Sequence, residues 1–267
     1  MKNKKAFTLI ELLVVISIIA LLMSIMMPSL KRAREASKNV VCLSNLKQWS
    51  LVWGMYTDDN NGRYHEGRFS GKEKPWITVL ESYYQDAKVM VCPSASKPIN
   101  SDVIVGSGET VLGDKNHAWG MFPGTSGNNW DVKGAYGSYG INSWICNPPK
   151  DTVPYGGSGM YWRKRDMRNA ANVPVMGGNW FIGGRPLETN SPPEYDGHKN
   201  SGSEFEMGRF CLDRHDENID MLFADGSARK VGLKELWRLK WHPGYNTNVR
   251  MPNWSREAPW MENFKDY

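Results

Sequence analysis

Between Phe7 and Met27 the chain runs for 21 residues in which only Thr8, Glu11, Ser17 and Ser24 are not apolar. At about 1.5 Å per residue a helix of that length reaches roughly 30 Å, the thickness of a bilayer's hydrocarbon core. The apolar part of a cleaved secretory signal is shorter, about 7 to 15 residues, so a retained membrane helix is the better reading. Lys2, Lys4 and Lys5 precede the run and Lys31, Arg32 and Arg34 follow it, so flanking charge alone leaves the orientation open. A short, easily retained N-terminus favours the cytoplasmic side for it. One residue breaks the pattern. Glu11 would place a carboxylate inside the apolar layer, at a cost of some kcal/mol unless it snorkels, protonates or meets a cation.

Past Pro28 the pattern stays helical. Ala33, Ala36, Val40, Leu43, Leu46 and Trp53 recur at steps of three, four or seven, with Lys31, Arg32, Glu35 and Lys38 on the remaining surface. Pro28 removes one backbone donor and should kink or loosen the helix locally. Gly54 and the DDNNG stretch at 58–62 supply a stop. The expectation is one helix over 7–54, roughly 70 Å long, with 7–27 in the membrane and the rest packed on a soluble head at 55–267. That head holds the 24 glycines beyond Gly62, out of 26 in the chain, and few long periodic runs. PWITVLESYYQ (75–85) reads as a short helix. KVMVCP, GSYGINSWIC, PVMGGNWFIGG, GRFCLDRH, IDMLFADG and SARKVG read as short strands cut by glycine and proline. The fold class expected is therefore α+β: a long N-terminal helix packed on an antiparallel sheet head with long irregular loops.

Several functional classes lose ground on composition. The net charge of +5 falls to +2 without Lys2, Lys4 and Lys5, and no basic patch with interleaved aromatics follows, so nucleic acid is not an expected partner. GGSG at 156–159 is not GxSxG, HEGRF is not HExxH, and neither a P-loop nor GxGxxG occurs. No enzymatic activity and no firm cofactor is expected. Cys42, Cys92, Cys146 and Cys211 show no CxxC spacing. An even number behind an export-like segment favours disulfides, and the positions suggest Cys42 with Cys92, tying helix to sheet, and Cys146 with Cys211. Trp119, Trp130, Trp144, Trp162 and Trp180, with Tyr136, Tyr139, Tyr155 and Tyr161, serve more naturally as core or loop staples than as sugar platforms.

The sharpest motif in the head is RHDENIDMLFADGSARKV, 214–231, in which His215 is followed by nine residues and then Asp225 and Gly226. Alternation of Ile219, Met221 and Phe223 marks a strand with one buried face, and Asp225-Gly226 marks a tight turn into the next strand. The plain expectation is a His215 to Asp225 hydrogen bond locking this hairpin. Asp213, Asp220 and Asp225 also offer hard oxygen ligands suited to calcium, although no EF-hand spacing is present.

KKAFTLIELLVVISIIALLMSIMMPSL resembles the prepilin-type segment of type IV pilins and type II secretion pseudopilins. It has a short basic leader, an aromatic first mature residue, a Glu at the fifth mature position and a proline at the twenty-second. The residue before the cut is Ala6, where the family usually has Gly. The resemblance implies a leader at 1–6, cleavage between Ala6 and Phe7 by a prepilin peptidase, and methylation of the new Phe7 amine. It further implies pairing of Glu11 with a neighbouring subunit's terminus, and a place for Pro28 in the assembling helix. The H-x9-DG spacing of His215, Asp225 and Gly226, with CLSNLKQW, SYGIN and LKELWRLKWH, resembles a large bacterial group of pilin-like proteins. A calcium ion near the C-terminal loop is also known in some pseudopilins. The expected role is then a structural subunit of a pilus-like filament or secretion pseudopilus. It would be single-pass in the bacterial inner membrane, with its N-terminus cytoplasmic and its head periplasmic or extracellular. Its partners would be copies of itself or other pilin-like subunits, the peptidase, the assembly machinery and membrane lipid. The alternative is a membrane-anchored binding protein that does not polymerise and whose head takes a glycan or other ligand.

Overall fold

The computed structural model describes residues 8–67, 74–99, 110–121, 135–150, 155–199 and 203–267. The expectations for Ala6, Phe7 and Trp130 lie outside them. The chain opens with helix α1, Leu9–Asp59, 51 residues and about 76 Å long. Thr8 is its N-cap. The Thr8 side chain accepts from the Glu11 backbone N–H while the Glu11 carboxylate accepts from the Thr8 N–H at 2.8 Å, a capping box that satisfies two otherwise orphaned donors. The helix runs through Pro28 without a break.

It also runs through Gly54, the first expected stop signal, and ends at Asp59 inside the DDNNG stretch. The reason lies at its end. Thr57 is buried and its hydroxyl donates to the Trp53 carbonyl at 2.8 Å, and the Asn60 amide donates to the Tyr56 carbonyl. The chain turns only where Asn61 and Gly62 take positive φ, with the Gly62 N–H returning to Thr57 O at 2.7 Å. Tertiary burial of this last turn outweighs the low helix propensity of one glycine.

Among the described residues, eight short strands follow. Strands β1 (Thr110–Val111), β2 (Trp119–Met121) and β3 (Ala135–Gly137) form a small antiparallel sheet. The main sheet uses β4 (Tyr139–Asn142), β5 (Pro174–Gly178), β6 (Gly183–Gly184), β7 (Asn218–Phe223) and β8 (Ala228–Gly232) in the order β6-β4-β5-β7-β8. Its pairs are antiparallel except β4 with β6. The architecture is α+β, a long apolar helix packed on a largely antiparallel head.

Two expected strands are absent. KVMVCP instead carries a 3-10 turn at Ala87–Met90, capped by the Asp86 side chain on the Lys88 N–H, and it meets the sheet through Ser138 N–H to Met90 O at 3.0 Å. GRFCLDRH is irregular and follows a 3-10 helix at Ser203–Arg209. Within 75–85 the helix is only Trp76–Val79, followed by a 3-10 turn at Glu81–Tyr83.

The sheet has two buried faces, and this corrects the expectation for β7. Ile219, Met221 and Phe223 enter a cluster with Trp144, Phe210, Trp237 and Trp241 on one side. Leu222 enters the other cluster, around Leu46, Trp49 and Trp53 of α1. Strand β7 is therefore sandwiched, and its even-numbered residues face the helix. Close approach is visible at Gly178, where an added Cβ would lie 2.2 Å from Ile219 Cδ1.

The docked half of α1 buries Cys42, Asn45, Leu46, Trp49, Val52, Trp53 and Thr57, a stripe at steps of one, three and four. Polar bonds fix its height against the head: Asn45 Nδ2 to Val91 O and Trp49 Nε1 to Val89 O, both 2.9 Å. Trp49 stands edge-on to Trp76 with ring centroids 5.1 Å apart.

Candidate functional site

The first candidate region is the free half of α1. Every large apolar side chain from Leu9 to Leu30 is between 45% and 79% exposed. Sixteen such side chains facing solvent cannot be left in water, since each costs about 1.5 to 3 kcal/mol against burial. The helix is long and apolar enough to cross a membrane. Glu11, the charge inside this surface, has its carboxylate turned back on its own N-cap, where Oε2 also accepts from the Thr8 hydroxyl at 2.7 Å. The capping box thus gives Glu11 a partner on its own chain.

The second candidate region lies where α1 first meets the head. Four side chains from three stretches converge there: Cys42 from α1, Cys92 from the segment after the 3-10 turn, and His215 just before β7 with Asp220 on it. All are buried. The Cys42 and Cys92 sulfurs and a His215 ring nitrogen lie within 4.8 Å of one another. Cys92 Sγ is 3.3 Å from His215 Nε2, and the same nitrogen is 3.3 Å from Asp220 Oδ2. Residue 220 reaches the site because even positions of β7 face the helix.

A shell of donors surrounds these four. Asn39 Nδ2 reaches both Asp220 oxygens at 2.8 and 2.7 Å, and the Tyr139 hydroxyl donates to Cys42 Sγ at 3.1 Å. Burial pushes the Cys42 thiol well up. A hydrogen bond from Cys42 holds Cys92 well down, helped by His215 and by the Arg214 charge. Desolvation raises the Asp220 carboxyl. The buried Arg214 guanidinium donates to Ser138 O, to Asp114 O at 2.7 Å and to Asn179 O at 3.1 Å.

This geometry revises several expectations. His215 does not lock the hairpin through Asp225; it pairs with Asp220 and Cys92, and its backbone N–H bonds Asn218 O. Asp225 bonds its own turn instead, accepting from the Ser227 N–H and hydroxyl, while Gly226 supplies the positive φ. The three candidate calcium aspartates have separate partners. Asp213 accepts from the Glu217 N–H, Asp220 faces α1, and Asp225 sits in the turn beyond the end of β7.

All four cysteines are free thiols. Cys42 and Cys92 do come together as the helix-to-sheet tie requires, without the bond. Cys146 and Cys211 do not pair: Cys146 Sγ donates to Ser143 O, and Cys211 Sγ contacts Met261 Sδ at 3.6 Å. As for the aromatic platforms, Trp119, Trp144, Trp180, Tyr139 and Tyr161 are buried, and Trp162 packs against both core clusters. Tyr136 and Tyr155 remain exposed. Sequence reasoning brought Cys42 to Cys92 but missed that His215 and Asp220 join them, because nothing in the spacing of 42, 92, 215 and 220 announces it. The one available signal was Asp220, an acidic residue inside an otherwise apolar strand.

An exposed membrane-length helix begins on a Thr-Glu capping box and continues unbroken into the sheet head. The N-terminal segment is of the prepilin type: the family described as "Prokaryotic N-terminal methylation motif" matches residues 1–27. Over 61 residues the chain is 44% identical to the type IV wide pilus major component PilA4 of Thermus thermophilus, a match covering 23% of this chain and 47% of that protein. The chain thus spans about half the length of the curated relative it matches. No solved structure matches it.

Proposed function

We propose that this chain is a structural subunit that polymerises through α1 into a pilus-like filament or secretion pseudopilus, supporting protein export. In this reading a prepilin peptidase cuts between Ala6 and Phe7 and the Phe7 amine is methylated. The N-terminus enters the inner membrane from the cytoplasmic side, and the head stands outside it.

The observation that carries the reading is the fully exposed apolar half of α1 with a single carboxylate near its start. Lipid satisfies that surface before assembly, and neighbouring copies of the same helix satisfy it afterwards. Glu11 then has two alternative partners, its own Thr8 cap and a second subunit's terminal amine. Exchange of one for the other gives assembly a register without exposing an unpaired charge.

Two measurements test this. Intact mass of the membrane-extracted chain should show loss of residues 1–6 and one added methyl; a full-length mass would remove the processing step. Glu11→Ala should leave the chain inserted and its head folded while abolishing sedimentable filaments. Assembly unchanged in that variant would refute the role of Glu11 and favour a monomeric anchor.

A further inference from the structure

The four converging side chains at the root of the head remain unexplained by polymerisation. A disulfide between Cys42 and Cys92 would account for two sulfurs only. It would leave a histidine ring nitrogen aimed at one of them and a carboxylate buried to 0% exposure beside it. Two thiols, an imidazole and a carboxylate drawn from three parts of the chain are instead the donor set of a closed tetrahedral metal centre.

The dimensions fit. With metal to sulfur at about 2.3 Å and metal to nitrogen or oxygen at about 2.0 to 2.1 Å, the edges of a tetrahedron are about 3.3 to 3.8 Å. The edges from His215 Nε2 to Cys92 Sγ and to Asp220 Oδ2 are both 3.3 Å, and the two sulfurs and the ring nitrogen lie within 4.8 Å of one another, while Asp220 meets this trio at His215 and completes the shell by closing further on the sulfurs. We infer that Cys42, Cys92, His215 and Asp220 bind one zinc ion that fastens helix α1 to the head.

The surroundings support a divalent ion of borderline softness. Two thiolates and a carboxylate bring three negative charges, and zinc leaves one. The Arg214 guanidinium, buried beside the cysteines with its Nε unpartnered among the described residues, balances it. Asn39 holds both oxygens of Asp220, and Tyr139 donates to Cys42, which are the outer contacts that orient ligands around a metal. Sulfur donors exclude calcium and magnesium as preferred occupants. Full burial of all four ligands makes the site structural, with no position open to water.

The test uses the full chain, extracted in detergent under air-free conditions. Native intact mass should resolve one zinc per chain, and cobalt(II) added after chelator treatment should give the visible absorption of a tetrahedral thiolate centre. Cys92→Ser and His215→Gln should lose the bound metal, whereas Asp225→Asn, outside the cluster, should retain it. Chelation should lower the melting temperature of the wild-type head and of Asp225→Asn. The cobalt spectrum of the wild-type chain decides the matter even where a ligand variant fails to fold. A Cys42 to Cys92 disulfide in the extracted chain overturns the proposal. So do four free thiols that take up neither zinc nor cobalt, or metal that survives in both ligand variants.

Discussion

His65 lies 5% exposed between the end of α1 and the sheet, with its ring 5.6 Å from that of Trp53. Its Nδ1 has no hydrogen-bond partner among the described residues. Burial therefore disfavours the imidazolium and pulls its pKa from 6.5 down to about 4. The folded state keeps the ring neutral over a range in which the unfolded chain protonates it. Stability is accordingly full above 6.5, falls as the pH drops from 6.5 towards 4, and levels off below 4. A gap of this size corresponds to about 3 kcal/mol in total, of which about 2.5 kcal/mol is lost between pH 7.5 and 4.5. All the tryptophans lie from Trp49 onwards, so their fluorescence reports unfolding of the head in detergent without interference from the membrane segment. Urea titrations at the two pH values, compared between the wild type and His65→Gln, isolate this one residue from carboxylates that titrate in both proteins. The variant should lose about 2.5 kcal/mol less than the wild type over that interval. Equal losses would refute the assignment of a buried neutral imidazole at this position.

Three further perturbations probe the joint between helix and head. Leu46→Ala empties a fully buried position on α1 and should lower head stability by about 2 to 5 kcal/mol in the same urea assay. Trp49→Phe strands the Val89 carbonyl that now accepts from the indole at 2.9 Å; a loss of about 1 to 3 kcal/mol is expected, and an unchanged midpoint would show that the bond contributes nothing net. Gly178→Ala drives a methyl into Ile219 and should cost about 1 to 3 kcal/mol, with Gly178→Ala/Ile219→Val recovering part of it if the steric account holds.

How much of this was readable from the chain depends on the range of the interactions. The membrane helix was legible because its constraint is local: twenty-one residues of composition decide it. The hairpin of β7 and β8 was legible from alternation and from Asp225-Gly226. The stop in DDNNG was legible too, since α1 ends at Asp59 and turns at Asn61 and Gly62, but the continuation through Gly54 was not, because it depends on burial of Thr57. KVMVCP resembles a strand in composition, yet its backbone groups are satisfied by a capped turn and by Ser138 and Asn45, partners that no local pattern specifies. The same limit applies to the Cys42, Cys92, His215 and Asp220 cluster. Asp220 in particular reads as a polar interruption of β7 until the strand is known to have a helix over its second face. The buried state of most tryptophans follows from the same two-faced sheet, which needs large side chains on both sides.

The unbroken passage of α1 from its exposed half into the sheet head has a mechanical consequence. A pull along the N-terminal half enters the head along the helix axis, with no hinge to absorb it. The docked stripe from Cys42 to Thr57 therefore shares the load in shear across strands β7 and β8, as a spliced rod does, whereas a load that peeled the helix away would break its contacts one after another. The first side-chain link from helix to sheet on that path is Asn39 to Asp220. Rupture force under axial pulling should thus scale with the length of the docked stripe rather than with any one contact at the root of the head.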